Sequence, residues 1–164
     1  MPLSTCYKRK QRGFTLLEIM VVVAIIAILA MMALPSYDSR ITRTQIIESA
    51  DLIKQLKENV NTYYLLNKNF PKTNEEAGIP SANKLLGNYV QRIELDDGAF
   101  HILFGNKAHP QLKDKILTIR PIVVKNSPDS PISWVCGNAI IPEGMVGVGE
   151  NRTNIKGAMP INCF

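Results

Sequence analysis

Acidic residues are missing from the first thirteen positions, and Glu18 is the only one before Asp38. Glycine is missing from Phe14 to Ala77, and Pro35 is the only proline between Phe14 and Phe70. With almost no chain breakers over that stretch, long helix is favoured. Histidine occurs only at His101 and His109, and neither has companions at metal-ligand spacing. No serine sits in a nucleophile elbow, and no glycine-rich phosphate loop follows a strand. An enzyme is therefore not expected, and neither is a cofactor or a metal. Internal repeats and low-complexity tracts are missing too.

What is there begins with a greasy run. Phe14 to Leu34 gives 21 consecutive residues with only Thr15 and Glu18 polar. As helix it spans roughly 30 Å, the hydrocarbon thickness of a bilayer. Lys8, Arg9, Lys10 and Arg12 precede it; removing these four from the formal +5 leaves +1 for residues 14–164. The basic character thus belongs mainly to the first twelve residues and reads as an orientation signal that keeps the N-terminus cytoplasmic. An ordinary secretory signal has a shorter apolar region ending at a small-x-small cleavage site, which this run lacks. What is left is a plain anchor, or a cut at the other end of the run. Glu18 is the anomaly, because a carboxylate at membrane depth costs roughly 2.5 kcal/mol or more unless it is paired.

Beyond Pro35, where a kink is expected, Ile46, Ile53, Leu56, Val60 and Tyr63 recur at helical spacing. Arg43, Gln45, Glu48, Lys54, Lys57 and Glu58 fill much of the rest. An amphipathic helix is expected to continue from the apolar one, about 54 residues and 80 Å in all. Residues 68–88 are punctuated by Pro71, Gly78, Pro80 and Gly87 and read as a loop. "YVQRIEL", a turn at Asp96–Gly98 and "AFHILF" predict a hairpin. "KILTIRPIVV" predicts a third strand, its Pro121 at an edge or bulge, and "ISWVCGNAII" a fourth. The Gly-rich tail from Pro142 has little periodicity.

Cys6 lies on the cytoplasmic side of the apolar run, whereas Cys136 and Cys163 lie beyond it. In an oxidising periplasm the latter two are expected as a disulfide, the alternative being two buried thiols. The bridge would close a loop of 28 residues, worth roughly 3–4 kcal/mol. His101 and His109 read as ordinary surface or core residues, Tyr63 and Tyr64 as core aromatics, and Trp134 as packing on the disulfide. Asn151-Arg152-Thr153 matches a glycosylation sequon, a weak signal in a chain with bacterial features. Lys107, Lys113, Lys115, Arg120 and Lys125 are candidate contacts to DNA phosphates, against the bland reading of a solvated face.

"RGFTLLEIMVVVAIIAILAMMALPSY" resembles the N-terminus of type IV prepilins. The resemblance implies that a membrane peptidase cuts after Gly13, that Phe14 becomes N-methylated, and that Glu18 is the family's assembly glutamate. "SPISWVCG" followed by "MPINCF" resembles the disulfide-bounded region of type IVa pilins. The implied architecture is α+β: one long helix on a four-stranded antiparallel sheet with a disulfide-closed C-terminal region. The implied organisation is a leader at 1–13, a hydrophobic membrane and filament-core helix at 14–35, an amphipathic helix at 36–67, a loop at 68–88, and the sheet region at 89–164.

The implied function is a structural subunit of a type IV pilus used for adhesion, twitching motility or DNA uptake. Its implied partners are the prepilin peptidase and N-methyltransferase, other pilin subunits, the inner-membrane assembly machinery, and DNA or a host surface. It would sit in the bacterial inner membrane with a periplasmic head, then in an extracellular filament. Alternatives are a pseudopilin of a type II secretion system and a minor competence pilin whose head binds DNA. Cys136, Cys163 and an acid-poor tail weigh against the pseudopilin. On this reading the released amine of Phe14 neutralises Glu18 of a neighbour when helices pack in a filament.

Overall fold

The computed structural model describes residues 13–156, without the side chains of 33–38. The chain divides between Tyr37 and Asp38 into two units. The first carries the start of helix α1, Leu16–Asp51. Its described apolar side chains, such as Leu16, Val23 and Leu29, are exposed. Among the described residues no helix is long and apolar enough to cross a membrane. The kink expected at Pro35 falls outside the described side chains.

In the second unit the expected single helix is interrupted. α1 ends at Asp51 and α2 runs over Lys54–Asn67. No glycine or proline marks the break. Ile53, fully buried, takes φ −88° and ψ −2°, and its N–H reaches back to Ala50 O at 3.2 Å, three residues rather than four. That tightened turn sets Ile53 into the core, and Lys57 N–H resumes the regular pattern on Ile53 O at 2.9 Å. The interruption also shifts the phase of the buried stripe. Ile46, Ala50, Ile53, Val60 and Tyr64 face inward, together with Gln45 and Lys57. The expected inward positions Leu56 and Tyr63 are only half-buried, and the expected outward Gln45 and Lys57 are buried.

The sheet has five strands rather than four: β1 Val90–Asp96, β2 Ala99–Phe104, β3 Ile116–Val124, β4 Ser133–Cys136 and β5 Met145–Gly147. All pairings are antiparallel, in the order β1-β2-β3-β4, with β5 on β3. The hairpin forms where "DDG" predicts it, with Asp97 at φ 45° and Gly98 at φ 81°. A Cβ at Gly98 would also lie 2.8 Å from the Phe70 ring, so two constraints meet there. Expected to lie at an edge or bulge, Pro121 instead sits in a strand flanked on both sides. The reason is local: β2 ends opposite Ile119 and β5 begins opposite Ile122. Pro121 faces the joint between them, where its carbonyl accepts from Val148 N–H at 2.9 Å, so its missing N–H costs no ladder bond.

Alternation sends Val90, Ile93, Leu95, Phe100, Ile102, Phe104, Leu117, Ile119 and Cys136 to one core with the helical stripe. Phe100 stacks on Trp134 at 5.6 Å, and Tyr64 on Phe70 at 4.4 Å. β4 is shorter than "ISWVCGNAII", because Gly137 at φ 57° turns the chain and Ala139 N–H closes on Cys136 O. Residues 68–88 are turns and a single 3-10 turn at Ala82–Lys84. One side chain fixes this loop to the sheet. Buried Asn74 accepts from Leu95 N–H at 2.8 Å and donates to Ile93 O at 3.3 Å and Pro80 O at 2.9 Å, closing the free edge of β1.

Candidate functional site

At the N-terminal end, Gly13 precedes the helix, and a Cβ there would meet nothing within 4 Å. Packing among the described residues gives no reason for a glycine at that position. Phe14 is 77% exposed. Thr15 caps α1: its Oγ1 accepts from Glu18 N–H at 3.2 Å, and its carbonyl from Ile19 N–H at 3.3 Å. Thr15 and Glu18 have the spacing of a capping box. Glu18 is thereby fixed in the first helical turn, where the helix dipole favours an acid by about 0.3–1 kcal/mol. The sequence reading missed this local role, although the T-x-x-E spacing signals it. Residues 1–12, with the expected leader and Cys6, lie outside the described residues.

In the head unit, Cys136 is buried at the end of β4. Cys163 and its pairing lie outside the described residues. Trp134 stacks on Phe100 and carries Lys57 Nζ 5.4 Å over its ring. Burial, then Lys54, pulls the Lys57 pKa down to about 8, against a smaller opposite effect of Asp51. The stripe spacing includes position 57, yet a lysine reads as surface.

The candidate DNA contacts are spread along β3. Lys107, Lys113 and Lys115 precede it and Lys125 follows it, roughly 30 Å from Lys115 at 3.3 Å per residue. Arg120 lies between, on the sheet face turned away from the helices. Its guanidinium rests against Gly147, where a Cβ would be 3.4 Å from Nη1.

On that same outer face His101 is buried, with Nδ1 2.9 Å from Thr118 Oγ1. Burial, then Arg152, lowers its pKa, while Asp96, Glu94 and Glu150 oppose the shift. Arg152 N–H donates to Thr118 Oγ1 at 3.0 Å, and its guanidinium pairs with Glu150, Asp96 and Glu94. Thr118 N–H donates to Thr153 Oγ1, and Ile116 and Asn154 exchange hydrogen bonds. The tail segment is thus stitched to β3. Asn151 of the sequon already donates to Gly137 O and Asn138 Oδ1. Among the described residues no group of three or more His, Cys, Asp or Glu is placed to hold a metal ion.

Comparison with known proteins bears on both units. The prokaryotic N-terminal methylation motif matches residues 8–34, and the family described as pilin (bacterial filament) matches residues 42–158. The fimbrial protein of Neisseria meningitidis serogroup A is 33% identical over 130 residues, covering 79% of this chain and 75% of that one. The type IV major pilin protein PilE of Neisseria gonorrhoeae is 32% identical over 131 residues, covering 79% and 76%. The type IV major fimbrial protein FimA of Dichelobacter nodosus is 54% identical over 50 residues, covering 30% and 31%. With an α+β head of antiparallel strands under a helix that starts in the methylation motif, the chain belongs to the pilin family.

Proposed function

We propose that the chain is a structural subunit of a type IV pilus, cut after Gly13, N-methylated on Phe14 and polymerised through its N-terminal helix. The observation that carries this reading is the methylation motif over residues 8–34, which leads into an exposed apolar helix with one acid in its first turn. Gly13 supports it, because nothing among the described residues asks for glycine there and a peptidase subsite supplies a reason. Before assembly the apolar segment holds the subunit in the inner membrane with the head outside, and afterwards the filament is extracellular. The peptidase, the assembly machinery and further copies are its partners, and a Cys136–Cys163 bridge closes the tail. Relatives named major pilin and fimbrial protein favour this over the pseudopilin reading.

Intact-mass measurement of the mature protein tests it. The expected mass starts at Phe14 and carries one methyl group. A mature N-terminus beyond Leu34 would mean an ordinary cleaved signal, and the filament reading would fail.

A further inference from the structure

Arg120 is a half-buried cation of the head whose side chain has no partner among the described residues. It lies in the middle of β3, half-buried, and its Nε is fully enclosed without a hydrogen-bond partner. No carboxylate pairs with it among the described residues. An unanswered buried N–H on a charged group is costly, and mutual ion pairs are what usually keep such groups in place. Gly147 leaves room for the guanidinium to lie flat, and Ile141 closes on the same spot, 2.9 Å from where a Gly147 Cβ would stand. The Nη1 side of the guanidinium thus packs on Gly147, while the residue as a whole stays partly exposed. Next to Ile141 in the chain, on the β4–β5 connection, Ile140 is 94% exposed, the most exposed large apolar side chain among the described residues.

The helix side of the head carries the complement. A groove of about 450 Å³ runs between α2 and the following loop, with Glu58, Leu66 and Glu76 among its lining residues. Asn59 Nδ2 bonded to Ala77 O ties its two walls. Glu76 is engaged by the N–H of Lys72 at 2.7 Å. Glu58 has no ion pair or hydrogen bond among the described residues, and Leu66 is 78% exposed. One face thus offers an unpaired cation and an exposed apolar side chain on the adjoining connection, and another offers an open acid beside an apolar wall.

Resting on the pilus-subunit reading, we propose that Arg120 and Ile140 of one copy dock into the Glu58–Leu66 groove of the next copy. The two faces belong to different layers of one unit, so the contact is heterologous and adds subunits without closing on itself. A phosphate backbone is the less favoured occupant, because the lysines of the expected stripe lie at the ends of β3 rather than beside Arg120.

The test is a charge swap in the full chain, made in cells lacking the wild-type copy. Arg120→Glu and Glu58→Arg should each lower sheared filament roughly tenfold or more, since like charges then face each other. The double variant should recover most of the loss. Membrane-held subunit should remain at wild-type level throughout, which separates assembly from folding. Arg120→Met should leave subunit stability equal or higher and still reduce filament. Normal filaments in both single variants, or no recovery in the double, would overturn the contact. So would loss of DNA binding by Arg120→Glu with filaments intact. Absence of filaments from the wild-type chain would instead bring down the subunit reading itself, and this contact with it.

Discussion

Lys57 stands where the helical stripe asks for an apolar side chain, and two effects compete over it. Its ammonium over Trp134 gains about 0.5–2 kcal/mol from the ring. Burial removes its water, and the pKa falls from 10.5 to about 8, so desolvation outweighs the attraction. Lys57→Met should therefore stabilise the head by about 1 kcal/mol at neutral pH, raising Tm by about 2–4 °C. The sign with pH follows from linkage. Between about 8 and 10.5 the unfolded chain holds a proton on Lys57 that the folded chain has released. Stability should rise with pH across that window, and Lys57→Met should lack the rise. Thermal unfolding of both proteins from pH 7 to 10.5 measures the difference. Glu18 was legible in the sequence because an acid inside an apolar run has few explanations. Lys57 was not, because its inward turn depends on where the helix breaks.

At the level of elements, the parts readable in advance are those whose signals are local. The β1–β2 hairpin combines alternation with a turn that needs positive φ, and both are written in adjacent residues. The break at Leu52–Ile53 has no such mark, since packing of Ile53 produces it, and β5 is a three-residue strand in a Gly-rich tail that gains order only from β3. Asn74 is a similar case: an asparagine in a loop reads as solvated, yet its amide closes the sheet edge. Asn74→Leu should leave Leu95 N–H and Ile93 O unanswered, at roughly 1–3 kcal/mol for each buried group. The urea midpoint should fall accordingly. The freed edge should also promote association of heads at high concentration, visible by light scattering, whereas an unchanged midpoint would mean that water replaces the amide without loss.

For the whole molecule, the decisive balance is between the lone subunit and the assembled one. Glu18→Val keeps the Thr15 cap, because the bonded group is the backbone N–H of residue 18. It loses only the dipole benefit of about 0.3–1 kcal/mol. On the proposed reading, against that stands the larger cost, roughly 2.5 kcal/mol or more, of a carboxylate at membrane depth. On that reading the variant should be retained in the membrane at least as well as wild type, yet enter filaments poorly, since the neighbour's amine would lose its counter-charge. The ratio of membrane-held to filament subunit measures this, and normal pili would make Glu18 a bystander. The sheet has its own bearing on how the head would answer a pulling force. β2 and β5 lie end to end along β3, and β4 on the other side spans Ile119 to Ile122, across the joint between them. Masons lay bricks this way so that no seam runs straight through a wall. A fracture that opens where β2 meets β5 runs into unbroken β3, backed by β4 across the joint, and must stop or turn.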